Sequence, residues 1–461
     1  MPPGRCPYLY WFNPTCDLTA GRASFTPTSA LRDLARDLAM VPALLATSDD
    51  VVVVPQRPSA PFLQSLAAAG LPMPELIEWD VGLEEPPASL RVQLSGMRPW
   101  GWSPDSVSAL EPLADRLPEG TAGPATLWNE ARRQLYSKKW SVQWLGDVIE
   151  ELRAATGDDW LCDRAVAGSA FTNDAEVMRA LERGFAAGWN RAVVKAAFGA
   201  AGGQRMIIDS LGGNPPAHQR RWLVRALQEA GLVVVEAWLD RVLDLSAQYE
   251  VTENGSVQFI GMTRFLADER GRFQGVFVHD IAAGLTPEIR RFLCSEHRDE
   301  GRLQRLFSLL GDLLAARLPK GYQGAIGIDT LVYSDATGAL RMKPIVEVNP
   351  RFTMGRIGLS LGRHVLANRT AMWRIVRVAE MIDAGYAGAE AWAWDLQQRL
   401  PLEMTADGRQ ISRGVVFTNE PASARSFVGV LAVGDGLADI ELLLANSAGC
   451  PFPYSNPKRT R

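Results

Sequence analysis

Pro344-Ile345-Val346-Glu347-Val348-Asn349-Pro350-Arg351 is an apolar run broken by two polar residues two positions apart. Read as a strand it alternates sides, so Glu347 and Asn349 project from one face and Val346 and Val348 from the other. A second run of the same kind, Ile326-Gly327-Ile328-Asp329-Thr330-Leu331-Val332-Tyr333, lies just upstream. The turn residues Asp335-Ala336-Thr337-Gly338 separate the two, which predicts a hairpin. Paired in that way, the strands bring Asp329 toward Glu347 and Asn349. Three oxygen ligands at the end of a hairpin suit Mg²⁺, which takes carboxylate, amide and phosphate oxygens. The bland alternative is a set of surface polar positions on a half-buried hairpin. The strongly apolar flanks weigh against it, because buried acids need a partner.

Farther toward the N-terminus, Arg191-Ala192-Val193-Val194-Lys195 is a short strand that ends on a lysine. A loop of small residues with Gly199, Gly202 and Gly203 follows, and then a second strand, Met206-Ile207-Ile208. Glycines let backbone N–H groups approach phosphate oxygens, and the ammonium neutralises their charge. The spacing is not G-x-x-x-x-G-K-[ST], and the loop joins two strands instead of opening a helix. It therefore reads as a hairpin lid, with a plain tight turn as the alternative. Val233-Val234-Val235-Glu236-Ala237-Trp238-Leu239-Asp240 is an apolar strand leading to an acid and a bend. Such a segment suits the edge of an adenine ring with acids near the ribose, and equally suits an ordinary strand end.

The 461 residues carry 48 basic and 52 acidic side chains and are 47% hydrophobic. That is a soluble globular mix. Near-neutral charge gives no basis for nucleic-acid or acidic-membrane binding. No apolar run reaches the about 18 residues of a membrane span. The Met1–Arg5 start lacks a secretory layout, so a cytoplasmic protein is expected. Five scattered cysteines and four scattered histidines form no disulfide framework and no zinc box. The opening 125 residues alternate strand-like and helix-like segments: Tyr8–Phe12, a helix capped by Ser29, Val51–Val54, a helix over 62–69, and Glu75–Asp80. That order predicts a small parallel sheet with covering helices. Residues 84–125 read as loops with short elements and 127–154 as a helix. Antiparallel strands are expected over 242–280 and a long amphipathic helix over 286–318. A helical stretch is expected through about 385, and strands at 415–417 and 427–433 in the last seventy residues.

Taken together and in this order, these pieces resemble the ATP-grasp superfamily over roughly residues 130–385. The resemblance implies an α/β and α+β architecture of two α+β lobes. A small parallel, Rossmann-like α/β domain precedes them and a small C-terminal appendage follows. The implied division is 1–125, 126–240 (first lobe with lid), 241–390 (second lobe with metal site) and 391–461. ATP would be clamped between the lobes with Mg²⁺, or Mn²⁺ as an alternative. On the family's pattern Lys195 and an earlier lysine, Lys138 in preference to Lys139, meet the phosphates. Gly199, Gly202 and Gly203 cover them, and Glu236 and Leu239 form the adenine hinge. Asp240 or Asp244 binds ribose. Asp329, Glu347 and Asn349 hold the metal, while Arg351 and, more weakly, Arg264 contact the transferred phosphoryl group. Asn13 and Asp17, at the end of the first strand, stand where open α/β sheets bind ligands; an Asn-Pro turn with a capping acid is the alternative. The resemblance implies a ligase that joins a small-molecule carboxylate to an amine through an acylphosphate. A kinase on the same fold and a non-catalytic nucleotide-binding regulator are the rivals. A homodimer is a further expectation from the resemblance alone.

Overall fold

The computed structural model describes residues 5–22, 25–82, 85–156, 160–199, 204–209, 216–268, 271–294 and 301–444. Strands β1 (Tyr8–Trp11), β2 (Val51–Val54), β3 (Glu75–Glu78) and β4 (Gly96–Pro99) form a parallel sheet in the order β3-β2-β1-β4. Val51 and Val53 enter one apolar core while Val52 and Val54 enter another. A strand buried on both faces in this way tolerates an unbroken valine run. A short helix, Cys16–Ala20, comes first; the next, Ser29–Asp37, is capped by Thr28, whose side chain accepts from the Leu31 N–H, and not by Ser29. β4 lies inside the stretch expected to be loops; it is too short and too rich in Gly and Pro to show a period.

A second sheet is antiparallel. It contains β5 (Ser169–Phe171), β6 (Arg191–Ala196), β7 (Arg205–Asp209) and β8 (Val233–Ala237), in the order β5-β8-β6-β7. Val177 and Leu181 on one helix and Leu223 and Ala226 on another pack with Ala192, Val194, Val233 and Val235. Strand alternation leaves Val193, Lys195 and Glu236 on the opposite, cleft-facing side.

The third sheet has nine strands: β9 (Asp240–Val251), β10 (Val257–Ala267), β11 (Phe273–Phe277), β12 (Gly324–Ser334), β13 (Leu340–Asn349), β14 (Thr370–Arg377), β15 (Glu403–Met404), β16 (Ile411–Phe417) and β17 (Phe427–Gly434). Their order is β13-β12-β9-β10-β11-β14-β17-β16-β15. β14 falls in the stretch expected to be helical throughout. Through it, the strands of the C-terminal seventy residues extend the large sheet instead of forming one of their own. Leu243, Leu245, Ala247, Tyr249, Ile326, Ile328 and Val348 share one face, packed against the helices Lys138–Thr156 and Gly301–Arg317.

The other face carries the chemistry. Pairing sets Asp329 opposite both Glu347 on β13 and Ser246 on β9, and Gly327 opposite both Asn349 and Gln248. The β12–β13 register shifts between Asp329 and Leu331, where Thr330 Oγ1 donates to the carbonyl of Pro344. β13 is an edge strand, so a proline at this irregularity removes no ladder bond that matters. The helix Met354–Gly362 lies over this face. A Cβ on Gly355 would stand 2.7 Å from Gln248 Nε2 and 2.8 Å from Thr263 Oγ1. Both groups are buried, and Gln248 is fixed by bonds to Ser246 and Thr353. Gly355→Ala is therefore expected to cost about 1–3 kcal/mol, read as a lowered urea midpoint; an unchanged midpoint would refute the close packing.

The helix expected over 127–154 is broken. One segment runs Glu130–Leu135 and the next begins at Lys138. Tyr136 anchors the break by donating from its hydroxyl to the Trp102 carbonyl at 2.8 Å. No helix among the described residues is long and apolar enough to cross a membrane. Cys6, Cys16, Cys162 and Cys294 are free thiols.

Candidate active site

The four-stranded and nine-stranded sheets face each other across a cleft lined by charged groups. Lys138 heads its helix, and its own N–H donates to Ala197 O at 2.8 Å. Its ammonium donates to Gly199 O at 3.0 Å and to Glu347 Oε1 at 2.6 Å. Gly199 has φ +147°, a conformation glycine favours. Gly202 and Gly203 lie outside the described residues.

Lys195 and Glu236 share the cleft face of their sheet, and their side chains meet at 2.8 Å. The second Glu236 oxygen accepts from Lys343 Nζ at 2.6 Å, so this carboxylate reaches from β8 to β13. Burial pushes Glu236 up, but the two ammoniums outweigh it and hold the carboxyl down at about 2. Burial lowers the Lys195 ammonium against the pull of Glu236. Lys343 is a site residue not singled out from the sequence. Its signal was a lone lysine in an apolar strand, four residues before Glu347 on the same face.

Asp329 accepts from Ser246 Oγ at 2.8 Å and from Asn349 Nδ2 at 3.1 Å. Burial, and next the neighbouring Glu347, push its carboxyl up to about 6. Arg351 is bidentate on Asp17, with Nε 2.8 Å from Oδ1 and 3.0 Å from Oδ2, and also donates to Asn349 Oδ1 at 3.0 Å. Burial opposes the Arg351 charge, yet Asp17 raises its pKa above the usual value. Asn13 donates to Gly101 O at 2.8 Å, within the turn that follows β4. Asp17 thus joins the site through Arg351, whereas Asn13 shapes the backbone beside it.

Asp329, Glu347, Asn349, Arg351 and Lys138 are brought together from separate segments. Lys195 and Glu236 face them through Lys343. Of the two acids proposed for ribose, Asp244 lies on the cleft face with Ser246, bonded to Arg241 at 3.2 Å. Burial pushes it up to about 6. Asp240 is exposed at the start of β9. Leu239 is half-buried and packs on the core beneath β9. Arg264 is not brought to the cleft. It pairs with Leu245, one step out of phase with Ser246, so it lies on the opposite face, buried 3.5 Å above the Phe277 ring.

Among the described residues no cluster of three or more His, Cys, Asp or Glu is placed to hold a metal. The candidate set is two carboxylates and one amide. It fits a hard divalent cation: adjacent acids on paired strands repel each other, and a cation relieves the cost that raises Asp329. The Asn349 amide has to rotate to offer its oxygen, because Nδ2 now faces Asp329.

Fold and site together present two α+β lobes, a lysine on each side of a cleft, and acids on the closing hairpin. No protein-family model matches the chain. The butirosin acyl-carrier protein–L-glutamate ligase of Niallia circulans is 26% identical over 187 residues, 40% of this chain and 38% of that protein. The match therefore spans well under half of that relative's length. Two solved structures are similar. One is N5-carboxyaminoimidazole synthetase from Staphylococcus aureus (11% identity, 96% of this chain and 98% of the other, TM-score 0.46). The second is a biotin carboxylase–βγ-ATP complex from Campylobacter jejuni (14%, 96% and 91%, TM-score 0.46).

Proposed function

We propose that the chain is a cytoplasmic ATP- and Mg²⁺-dependent ligase that activates a small-molecule carboxylate as an acylphosphate and couples it to an amine. The observation that carries this is the convergence of Asp329, Glu347, Asn349 and Arg351 on a cleft whose other wall bears Lys195. The Niallia circulans relative, a ligase by name, is in keeping with it.

The difficulty in the reaction is charge. A carboxylate approaching a triphosphate is repelled, so the protein must neutralise and position. Asp329, Glu347 and Asn349 would hold Mg²⁺, which when bound would supply neutralisation of the triphosphate charge. Lys138 and Lys195 meet the phosphate oxygens once they exchange Glu347 and Glu236 for the nucleotide. Arg351, pinned by Asp17, orients the substrate carboxylate. A carboxylate oxygen then attacks the γ-phosphorus in line, the bond to the bridging oxygen breaks and ADP leaves. The amine nitrogen attacks the acyl carbon, the carbon–oxygen bond breaks, phosphate departs with the electron pair, and the ammonium loses its proton. Asp244 is the group for ribose, and the backbone of the Glu236–Leu239 segment meets the adenine edge.

ADP formation screened against pooled carboxylates, with and without pooled amines, tests the reading. The expected result is ADP and free phosphate that rise when both pools are present. Phosphate retained on an organic product would mean a kinase; tight ATP binding without turnover across the panel would mean a regulator.

A further inference from the structure

Arg351 also lines a groove of about 610 Å³ along β4, the outer strand of the parallel sheet. Tyr8, Trp100, Trp102, Tyr322 and Phe352 line it, together with Arg98 and Arg132. Arg132 is 4% exposed; it donates to Gln323 O at 3.0 Å, and its guanidinium lies 4.3 Å from the Tyr322 ring centre. Arg98 stacks 4.1 Å from the Tyr8 ring centre and donates to Tyr10 Oη at 3.2 Å. Among the described residues no carboxylate pairs with either. Glu250, the acid between them and the sheet, is taken by Arg356, Asp17 is taken by Arg351, and Glu253 is exposed at the rim.

Arg132 is a buried guanidinium with no carboxylate in salt-bridge contact among the described residues, which is costly. Arg98 beside it in the groove lining is partly exposed and has only the more distant charge of Glu250, and the planar fork of each matches a carboxylate or phosphate. We infer that this groove seats an acid substrate bearing two anionic groups: the carboxylate to be activated at Arg351, and a second carboxylate or phosphate held by Arg132 and Arg98. The aromatic walls take the apolar chain between them. A Cβ on Gly101 would lie 3.0 Å from that of Arg351. Arg98 is three residues away from Gly101, a backbone span of at most about 10 Å, so a short-chain dianion is the size class to test. The inference rests on the ligase reading and narrows its substrate class.

Calorimetric titration of the full chain, with Mg²⁺ and a non-hydrolysable ATP analogue present, tests it. Suberate and 7-phosphonoheptanoate are compared with octanoate, which has one charge. At least one dianion should bind tenfold or more tighter than octanoate, and the better one identifies the second group. Arg132→Gln should erase that preference, and so should Arg98→Gln, a partly exposed position whose loss the fold tolerates, with binding of the ATP analogue unchanged. Equal binding of octanoate, no binding of either dianion, or a preference that survives in Arg98→Gln and Arg132→Gln overturns the inference. Failure to bind the ATP analogue would instead remove the ligase reading itself.

Discussion

Glu347→Ala is expected to lower ATP-dependent ADP formation by about 10²–10³-fold, the scale seen when one preorganised charge-stabilising group is removed. The side chain does two jobs. It faces Asp329 across the hairpin, where on the proposed reading it would complete the oxygen set for a divalent cation, and it holds Lys138 at 2.6 Å. Without it, Lys138 keeps its bond to Gly199 O, so the start of the helix stays anchored. Glu347→Gln keeps the size and one side-chain oxygen but removes the charge, and it should fall nearly as far. Binding of the ATP analogue measured without Mg²⁺ should survive in both variants, because Lys195 and Glu236 are untouched. Undiminished ADP formation in a folded Glu347→Ala protein would remove the metal assignment.

The second large effect is on stability. Glu236 is 3% exposed and pairs with two lysines. Glu236→Gln leaves both ammoniums buried without their counter-charge, a change of about 3–5 kcal/mol, visible as a lower urea midpoint at neutral pH. The pH profile carries an independent signature. The carboxyl sits at about 2 when folded against an ordinary 4.5, so in the unfolded chain it takes up a proton first as pH falls. Its stabilisation is full above about pH 4.5 and drains away between there and pH 2, by roughly 3 kcal/mol in all. The wild-type unfolding midpoint should slope downward across that window, and the Glu236→Gln protein should lack that component. Equal slopes and equal midpoints would show that the bridge contributes nothing.

The catalytic hairpin was legible because polar residues at a spacing of two stand out within valine and isoleucine, and a short turn forces the strands to pair. Lys195 was legible as a strand-end lysine before small residues. Arg264 shows where such reasoning ends. Whether it or Thr263 faces the cleft depends on the irregularity between Phe259 and Gly261, which no local pattern reveals. β14 was missed because Ala371, Met372, Trp373 and Val376 are all buried, and a fully buried strand has no period to distinguish it from a helix. The partnership of Arg351 with Asp17 spans 334 positions. The union of Glu236 with Lys343 spans 107. Pairs at such separations come from the packing of whole lobes.

That last union has a bearing on how a nucleotide gains entry. With its cations already spoken for, the pocket is no open basin of positive potential. On the ligase reading, an incoming triphosphate would trade places with Glu236 and Glu347, each displaced from an ammonium it holds at 2.8 Å or less. If Glu236 also let go of Lys343, one of the links between the two sheets would be lost, which would couple admission of the ligand to parting of the lobes.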